Sequence, residues 1–532
     1  MPKNYEKLQN GSDIRGISLE GVAGEAVNLS CQEALDIGGG FTRWLSEKTG
    51  KSPEELTVAF GRDTRLSGEI LLAHITFGMG RFGVKTLDCG QASTPAMFMS
   101  TVFPEFSCDG AVMITASHLP FNRNGFKFFT KDGGLDKGDI KKILEYAAMD
   151  EGELGLSKSE KGQPSEKKDL MGAYCSHLRK LIIDGVDAPE NREKPLEGLE
   201  VVVDAGNGGG GFFATDVLAP LGALVADSQF LEPDGSFPNH APNPEDKKAM
   251  EYICQRVKEV KPDLGIIFDT DVDRAAAVDE NGKEISRNGI VAMAAALVAE
   301  EHPGSTVVTD SITSDELTLF LEKDLGLKHK RFKRGYKNVI NEGIRLNGEG
   351  EECWLAIETS GHAALRENYF LDDGAYLATK IVIKAAKLKR EGRKISEVIE
   401  KLPEPREARE VRLPISGENF GEVGDRILSD LEKWAGMKDC AMRDADGNIV
   451  PVGEDKCCLC HCGMSLVQPN YEGVRINFGP DAGDGWCLLR KSLHDPIMPL
   501  NIESRQSGGC HIIAEKLRPF LAAYEALDIS KL

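Results

Sequence analysis

Short runs of β-branched and apolar residues alternate with helix-patterned segments along most of this chain, and this alternation restricts the fold more than any other feature. It is typical of α/β units built on mainly parallel sheets. Strands are predicted in three groups, at residues 57–60, 85–87 and 111–114, at 200–203, 223–225 and 264–268, and at 306–308, 330–332 and 354–357. We therefore expect an α/β protein with three similar units whose sheets are mixed and mainly parallel.

The pattern changes after about residue 406. Strands are expected at 411–415, 473–478 and 486–489, and a helix is expected at 509–527 despite Pro519. A polar insert at about 439–469 separates the first two of these strands and holds five of the thirteen cysteines. We predict a smaller C-terminal α+β domain. The expected domains are then 1–185, 186–302, 303–405 and 406–532.

Charge and composition limit the partners. The formal net charge of −21 repels polyanions, so we expect neither nucleic acid nor an anionic membrane as a partner. The longest apolar run, 290–299, is about half of the ~20 residues that cross a bilayer, and residues 1–11 lack the pattern of a leader. The cysteines are odd in number and have no framework spacing, which fits free thiols in a reducing compartment. We expect an intracellular, soluble protein.

Three carboxylates at alternate positions form the strongest candidate site. Asp269, Asp271 and Asp273 follow the predicted strand 264–268, and their oxygens can converge on one hard cation, for which Mg²⁺ is the best candidate. A solvated acidic turn is the weaker interpretation, because three repelling carboxylates at a strand end are costly without a cation. An EF-hand loop is also disfavoured, since Arg274 stands where the sharp turn needs Gly and a strand precedes the loop.

A second candidate loop follows the predicted strand 111–114. It reads Thr-Ala-Ser-His and carries Ser117 and His118, and an Asn-Gly-Phe-Lys run ending at Lys127 comes soon after it. The Ser117 hydroxyl could be a nucleophile or a phosphoryl carrier, and Lys127 could supply positive charge or transfer a proton. Alone, a Ser-His pair is more often a turn than a catalytic pair.

Two other polar loops are weaker candidates. Glu358 and Ser360 follow the strand predicted at 354–357, and their oxygens could bind vicinal hydroxyls of a sugar. Arg15, which precedes a Gly, could offer a bidentate guanidinium to a phosphate. The Gly-Arg-Asp-Thr-Arg run at 61–65 is assigned to structure, because an Arg-Asp pair is more often a structural salt bridge.

Two further segments leave alternatives open. The glycine string at 206–211 satisfies GxGxxG after the predicted strand 200–203, and Asp227 could be the acidic residue that a dinucleotide-binding unit requires. The match is weak in so Gly-rich a string. The cysteine cluster at 457–462 could bind a soft metal or act as a thiol switch, but its ligands are crowded, and an exposed reduced loop is the favoured interpretation.

Taken together and in this order, the loops resemble those of the α-D-phosphohexomutase superfamily, the phosphoglucomutase and phosphomannomutase enzymes. That family has an Ile-Arg-Gly near the start, a Thr-Ala-Ser-His phosphoserine loop with a downstream Asn-Gly-x-Lys, an Asp-x-Asp-x-Asp-Arg metal loop, a Glu-x-Ser-Gly-His sugar loop and a C-terminal phosphate loop. The first four are plain here. Further matches are Ser93-Thr94-Pro95, Pro233-Asp234-Gly235, Phe237-Pro238-Asn239-His240, Pro242-Asn243-Pro244, Gly335-Tyr336-Lys337 and Asp373-Gly374.

The resemblance spans nearly the whole chain and implies four domains around a central cleft, each contributing one loop. It implies that Ser117 is the phosphoserine and that Mg²⁺ is held by Ser117 together with Asp269, Asp271 and Asp273. The other roles it implies are proton transfer and phosphate neutralisation by Arg15, Lys127, His118 and His362, sugar contacts by Glu358 and Ser360, and phosphate contacts by Arg274, Lys337, Arg490, Ser492 and His494.

The C-terminal loop departs from the family pattern. Where the family reads Ser-Asn/Gly-Thr-Glu-Pro-x-x-Arg, this chain keeps Ser492 but has His494 at the Thr and Pro499 at the final Arg. Leu119 also replaces a usual Asn. Arg490, Lys491 and a protonated His494 could compensate for the lost guanidinium. The Ser-Leu-His-Asp-Pro string resembles a divergent plant, algal and cyanobacterial branch, which would suit the cytoplasm or a plastid stroma.

The function implied by the resemblance is a phosphosugar mutase. It would interconvert hexose 1-phosphate and hexose 6-phosphate, with glucose as the hexose, through hexose 1,6-bisphosphate, which would also be the activator. The altered C-terminal loop motivates an alternative, a hexose 1,6-bisphosphate synthase in which fructose 1,6-bisphosphate recharges Ser117. A non-catalytic phosphosugar-binding protein and a dinucleotide-dependent oxidoreductase are remote alternatives. The expected partners are small phosphosugars, and the expected assembly is a monomer or homodimer.

Overall fold

The computed structural model describes residues 3–150, 152–158, 165–417, 419–437, 441–444, 448–451, 462–492 and 495–532. The chain forms two compact units. The first contains Met1–Val307 and Gly343–Glu400, and the second contains Val308–Glu342 and Lys401–Leu532. Within the described ranges, no helix combines the length and apolar character needed to span a bilayer.

The first unit begins with a large mixed sheet. Its strand order is β1-β2-β6-β5-β3-β4-β8, with β7 paired to β6, and its strands are β1 Gln9–Asn10, β2 Asp13–Ile17, β3 Thr57–Arg62, β4 Lys85–Gln91, β5 Gly110–Ile114, β6 Arg123–Thr130, β7 Gly133–Gly134 and β8 Glu166–Lys167. The strands β3, β4, β5 and β8 pair in parallel, and β1, β2, β6 and β7 add antiparallel ladders. The helices are α1 Cys31–Thr49, α2 Gly68–Gly80, α3 Thr94–Met99, α4 Lys137–Ala148 and α5 Leu170–Val186.

Glycines let the first two of these helices approach closely. A Cβ on Gly38 of α1 would lie 2.5 Å from the Ile75 carbonyl oxygen, and a Cβ on Gly78 of α2 would lie 2.3 Å from that of Leu35. Only glycine fits at either position without moving a backbone. The high glycine content therefore serves close packing here.

A second α/β segment follows. Its sheet has the order β12-β11-β10-β9, and its elements are β9 Val201–Asp204, α6 Lys247–Val260, β10 Leu264–Phe268, β11 Ala275–Val278, β12 Glu284–Ile285 and α7 Asn288–Glu301. Only β9 and β10 are parallel. The strand predicted at 223–225 is wrong, because Leu224 makes only an isolated bridge to Glu200. A left-handed Gly222 precedes it and a turn closed by Ser228 follows it, so no ladder can extend.

The third α/β segment contains β13 Thr306–Thr309, α8 Asp315–Leu319, β14 Lys328–Arg331, α9 Tyr336–Gly348, β15 Cys353–Ile357, β16 Ala363–Leu365, β17 Leu371–Asp372 and α10 Gly374–Arg390. The strands β15, β16 and β17 form an antiparallel ladder within the first unit. The strand predicted at 330–332 begins at Lys328 and ends at Arg331. Phe332 leaves the strand and packs against the Tyr471 ring, with 4.9 Å between ring centroids.

The C-terminal part of the second unit carries an antiparallel sheet with the order β18-β24-β23-β22-β21. Its elements are β18 Glu407–Pro414, α11 Phe420–Ala435, β19 Ala441–Arg443, β20 Ile449–Pro451, β21 Met464–Leu466, β22 Val474–Phe478, β23 Gly485–Leu489, β24 Ile497–Ser504 and α12 Gly509–Leu521. The strand β24 was not predicted, because Pro499 and Asn501 interrupt its apolar run. The helix predicted to reach 527 ends at Leu521, and Leu527 instead bridges to Ile415.

The candidate loops follow buried strands. All five residues of β5 are buried and lead to Ser117, and all five of β10 are buried and lead to Asp269. Gly125 pairs with Arg15 where β6 meets β2, and a Cβ there would lie 2.0 Å from the Ile14 carbonyl oxygen. The glycine of the Asn-Gly-x-Lys run is therefore required for the pairing of the strands that carry Arg15 and Lys127.

We predict that the second unit depends on one aromatic stack. Trp434 of α11 is 1% exposed, and its ring stacks on Phe520 of α12 with centroids 5.0 Å apart. Trp434→Ala should lower the free energy of unfolding of this unit by about 3–5 kcal/mol, because burial is lost and a cavity remains. Urea denaturation followed by far-UV circular dichroism measures the change. Ile512→Ala, at a 38% exposed position of α12, should cost less than about 1 kcal/mol, and equal losses would contradict the prediction.

Candidate active site

The Ser117 hydroxyl lies directly against the acidic loop. It donates a hydrogen bond to Asp269 Oδ2 at 3.1 Å and accepts one from Arg274 Nη2 at 3.2 Å. Its backbone is left-handed, with φ +48°, and the Ser117 amide donates to Thr115 Oγ1 at 2.8 Å. The structure therefore brings together the two loops that the sequence singled out, although they are far apart along the chain.

The three acidic side chains are buried and adjacent. Asp269, Asp271 and Asp273 are at most 1% exposed, and one oxygen of each lies within 4.8 Å of the others. Val272 takes a left-handed φ of +65° between them, which turns the loop. Within the described part of the chain, Oδ1 of Asp271 and Oδ1 of Asp273 are buried without a hydrogen-bond partner. Unpartnered carboxylate oxygens in such a cluster fit a hard cation, and the triad could hold a metal ion.

The pKa values within the triad move apart. Burial raises the pKa of Asp269 well above its usual range, and the charge of Asp273 adds to this effect. Burial also raises the pKa of Asp273, but the charges of Lys127 and His362 outweigh it and hold that pKa below its usual range. Asp273 therefore stays ionised, and the loop keeps negative charge for a cation.

Two cations from the chain contact these carboxylates directly. Lys127 Nζ forms an ion pair with Asp273 and lies 3.2 Å from Asp271 Oδ2. Arg274 is 1% exposed and donates to Asp269 Oδ2 through Nε at 3.2 Å and Nη2 at 3.1 Å. Burial lowers the pKa of Arg274, but Asp269 and Asp273 outweigh it and raise the pKa, so the guanidinium stays charged.

Arg15 lies on β2 with a fixed partner. Its Nη2 pairs with Asp13 Oδ2 at 2.7 Å, and its side chain is 13% exposed. Burial lowers the pKa of Arg15, but Asp13, Asp271 and Asp273 together raise it. Arg15 therefore adds a permanent positive charge near the acidic loop.

The two histidines differ in charge. His362 Nδ1 forms an ion pair with Asp372 and lies 4.0 Å from Asp273 Oδ1. Burial lowers the pKa of His362, but these two carboxylates outweigh it and raise the pKa to about 9. His118 behaves in the opposite way, because desolvation and the charges of Arg274 and Arg15 lower its pKa. At neutral pH the site presents a charged His362 and a neutral His118.

The third loop is a tight turn after β15. The Glu358 amide donates to the His362 carbonyl oxygen at 2.9 Å, and the Gly361 amide donates to the Glu358 carbonyl oxygen at 3.0 Å. Gly361 has φ +93°, and a Cβ there would lie 2.6 Å from the Ala275 carbonyl oxygen. Ser360 Oγ is buried and, among the residues described, has no hydrogen-bond partner. A buried hydroxyl of this kind suits a polar ligand.

Four other predicted residues belong to the second unit. Lys337 lies in the first turn of α9, and Arg490 and Ser492 follow β23. Arg490 Nε is buried and lacks a hydrogen-bond partner in the described ranges, and burial together with Arg334 lowers the pKa of Arg490. The Ser492 hydroxyl accepts from the Asp495 amide at 3.2 Å. His494 lies outside the described residues, as does residue range 457–461 of the cysteine cluster.

Sequence reasoning missed several supporting groups. The Thr94 hydroxyl donates to Asp271 Oδ2 at 2.5 Å and orients that carboxylate, and the Thr94 amide donates to the Asp271 carbonyl oxygen at 2.8 Å. Asn243 Oδ1 accepts from Arg274 Nη1 at 3.2 Å, and Asp372 holds His362. Thr94 and Asn243 belong to short motifs that matched the resemblance, but those motifs indicated no role. Such outer contacts are set by the fold.

The glycine string at 206–211 packs against the acidic loop. The Gly209 amide donates to the Thr270 carbonyl oxygen at 2.8 Å, and a Cβ on Gly208 would lie 2.9 Å from the Thr270 Cα. The close backbone approach explains glycine at Gly208 without a bound nucleotide.

Comparisons with known proteins match the chain to one family. The family descriptions "Phosphoglucomutase/phosphomannomutase, alpha/beta/alpha domain I", domain II and domain III match residues 6–153, 173–282 and 286–405. The phosphoglucomutase/phosphomannomutase of Thermococcus kodakarensis is 32% identical over 515 residues, which cover 97% of this chain and 97% of that protein. The phosphoglucomutase of Neisseria gonorrhoeae is 28% identical over 449 residues, 84% of each chain.

A solved structure supports the fold. A phosphoglucomutase/phosphomannomutase family protein from Burkholderia thailandensis matches with a TM-score of 0.74 at 24% identity, covering 97% of this chain and 98% of that chain. The ordered domain matches and the Thermococcus relative extend the likeness over nearly the whole sequence. The chain belongs to the phosphoglucomutase/phosphomannomutase family and is an intramolecular phosphotransferase.

Proposed function

We propose that this enzyme interconverts hexose 1-phosphate and hexose 6-phosphate, with glucose phosphates as substrates, through a phosphoryl group carried on Ser117. One observation carries the proposal, namely the 3.1 Å contact between Ser117 Oγ and Asp269 Oδ2 beside two further buried carboxylates. A hydroxyl in this position can hold a phosphoryl group next to a metal ion. Hexose 1,6-bisphosphate is the proposed intermediate and activator.

The proposed metal ion is Mg²⁺, held by Asp269, Asp271 and Asp273 together with a phosphoryl oxygen on Ser117. The unpartnered oxygens of Asp271 and Asp273 support this assignment, since Mg²⁺ prefers carboxylate ligands. When bound, the ion neutralises charge on the phosphoryl oxygens. Phosphoryl transfer otherwise needs positioning and positive charge, both of which the chain supplies.

The remaining parts of the transfer are assigned to residues of the chain itself. The phosphorus–Oγ bond of phospho-Ser117 breaks, a bond from phosphorus to a sugar hydroxyl oxygen forms, and the proton lost by the sugar hydroxyl is balanced by one gained at Ser117 Oγ. Arg274 donates to that Oγ and can stabilise the charge that develops on it. Lys127, Arg15 and the charged His362 are the proposed groups for proton transfer and phosphate binding, with neutral His118 as a further proton acceptor.

Substrate binding is assigned to three segments of the chain. Glu358 and Ser360 would bind sugar hydroxyls, and the unpartnered Ser360 Oγ supports that role. Lys337, Arg490, Ser492 and His494 would bind the phosphate that is not being transferred. Arg490 Nε has no hydrogen-bond partner among the described residues, and this supports a phosphate contact because a guanidinium can donate two parallel hydrogen bonds to phosphate oxygens.

The remaining assignments concern the partners, the location and the assembly of the enzyme. We infer that the partners are small phosphosugars and that the enzyme is intracellular, in the cytoplasm or a plastid stroma, as a monomer or homodimer. The charge of −21 supports small-molecule substrates over nucleic acid.

The phosphoserine is tested by Ser117→Ala. This variant should lower conversion of glucose 1-phosphate to glucose 6-phosphate by at least ~10³-fold, because no hydroxyl remains to carry the phosphoryl group. Intact mass and peptide mapping should find one phosphoryl on Ser117 in the natural protein and none in the variant. Ser176→Ala, at an exposed position on α5, should leave both readouts unchanged. Substantial mutase activity in Ser117→Ala would refute the mechanism.

The metal site is tested by Asp271→Asn. Removing one charged ligand should raise the Mg²⁺ concentration for half-maximal activity by about 10- to 100-fold while the protein remains folded. Isothermal titration with MgCl₂ gives a second readout that is independent of turnover. Asp227→Asn, which removes an exposed carboxylate paired with Arg256, is the matched control. Identical Mg²⁺ dependence in the two variants would exclude this site.

A second candidate function is a hexose 1,6-bisphosphate synthase. One observation favours it: Pro499, where the family has Arg, lies within β24 and pairs with Arg412. A phosphate site without that guanidinium would hold the bisphosphate less firmly, so escape could compete with the second transfer. Fructose 1,6-bisphosphate would then recharge Ser117.

The two functions predict different products. Incubation with glucose 6-phosphate and fructose 1,6-bisphosphate should yield hexose bisphosphate in proportion to the donor consumed if the synthase function dominates. Rapid formation of glucose 1-phosphate with only catalytic traces of bisphosphate would instead establish the mutase. Phosphorus NMR separates these products and follows both time courses. The Ser117→Ala variant is the control, because neither product should form without a phosphoryl carrier.

A further inference from the structure

Arg65 is a fully buried arginine next to the phosphoserine loop. It follows β3 and is 1% exposed. Its Nη1 donates to the carbonyl oxygens of Pro120 at 2.7 Å and Arg123 at 2.9 Å, and its Nη2 donates to those of Ser117 and Leu119. One guanidinium therefore binds four backbone oxygens of a single loop, and the fork geometry of Arg is suited to this.

Asp63 connects the same guanidinium to the Ser117 amide. Asp63 is fully buried, and its Oδ2 accepts from Arg65 Nε at 3.2 Å and from Thr115 Oγ1 at 2.7 Å. The Thr115 oxygen in turn accepts from the Ser117 amide at 2.8 Å. The loop is thus held at the Ser117 carbonyl by Arg65 and at the Ser117 amide through Asp63 and Thr115.

These two attachments, at its carbonyl oxygen and at its amide, explain the left-handed backbone conformation of Ser117. A φ of +48° is unfavourable for a residue with a side chain and persists only where its surroundings enforce it. In this conformation Ser117 Oγ meets Asp269 Oδ2 at 3.1 Å. A relaxed φ would rotate the hydroxyl away from the acidic triad.

A loop of the second α/β segment covers the other side of Arg65. The Phe237 ring lies under the guanidinium, with 5.3 Å from Cζ to the ring centroid. A Cβ on Gly235 would lie 2.4 Å from the Thr64 carbonyl oxygen, so only glycine allows this approach. The sequence assigns the run at 61–65 to structure and gives the run at 233–237 no role, and in the structure the two runs meet at Arg65.

We propose that Arg65 is a positioning residue of the phosphoryl-transfer step, which holds the left-handed Ser117 and so aims its hydroxyl at the acidic triad. This inference rests on the proposed phosphoserine role of Ser117. Arg65 reaches only backbone oxygens, Asp63 and Phe237 among the described residues, so it acts through Ser117. The run at 61–65, which the sequence assigns to structure, therefore also has a positioning role in catalysis.

Two variants test the proposal. Arg65→Lys keeps the charge but cannot bind four oxygens, and Thr115→Val keeps the shape but removes the hydroxyl between Asp63 and Ser117. In each, kcat for glucose 1-phosphate should fall by about 10- to 100-fold, because a misplacement of about 1 Å has this effect. KM should stay within about twofold, since the sugar and phosphate contacts are untouched. Single-turnover transfer from the isolated phosphoenzyme should slow by the same factor.

Arg62→Lys is the matched control. Arg62 is half-buried, and the one hydrogen bond described for its side chain is a marginal 3.5 Å approach of Nη1 to the Asp63 carbonyl oxygen. It should keep kcat and KM unchanged. If Arg65→Lys fails to fold, Thr115→Val decides by the same criteria. Folded variants with kcat within about twofold of the natural enzyme, a rise in KM alone, or loss of the fold in both variants would each overturn the proposal.

The phosphoryl content of the natural protein separates this inference from the proposed function. If the natural enzyme carries phospho-Ser117 and Arg65→Lys transfers it at the normal rate, only the role of Arg65 is refuted. If the natural enzyme carries no phosphoserine after incubation with glucose 1,6-bisphosphate, the proposed function fails first.

Discussion

Three carboxylates buried on one loop set the strongest electrostatic requirement of this protein. Asp269, Asp271 and Asp273 are nearly inaccessible to solvent, and burying such charges is costly unless opposite charges lie close to them. The compensation comes from outside the loop as well as from Arg274 beside it. Lys127 lies on β6, and His362 lies on the turn after β15. The loop can therefore form only when several α/β segments are folded together.

The loops that meet at this triad are themselves held by hydrogen bonds from neighbouring residues. Thr94 binds Asp271, and the network of Arg65, Asp63 and Thr115 holds Ser117 in a left-handed conformation. Among the described residues, these groups contact neither the unpartnered Oδ1 atoms of Asp271 and Asp273 nor the Ser117 hydroxyl. Their shared property is that they fix the position of a backbone segment or a carboxylate, and phosphoryl transfer depends on such positioning.

The sequence predicted the strands best where apolar runs are continuous and fully buried, as in β5 and β10. The sequence-based prediction failed where a segment combines residues typical of strands with residues that break them. The strand β24 contains a proline, yet eight residues pair along β18, because tertiary pairing overrides local preference. The segment 223–225 has strand-like residues, yet turns on both sides leave only one bridge.

The sequence by itself determined the α/β class, the identity of the loops after β5, β10 and β15, and the acidic spacing that suits a cation. These follow from local periodicity and from the chemistry of side chains within a few residues of one another. Only the tertiary structure decided which cations neutralise the triad, which histidine is charged, and that Arg65 holds Ser117. The reason is physical, because pKa values, ion pairs and enforced backbone angles depend on distances between residues that are far apart in sequence, such as Ser117 and Asp269. A local sequence pattern does not determine those distances.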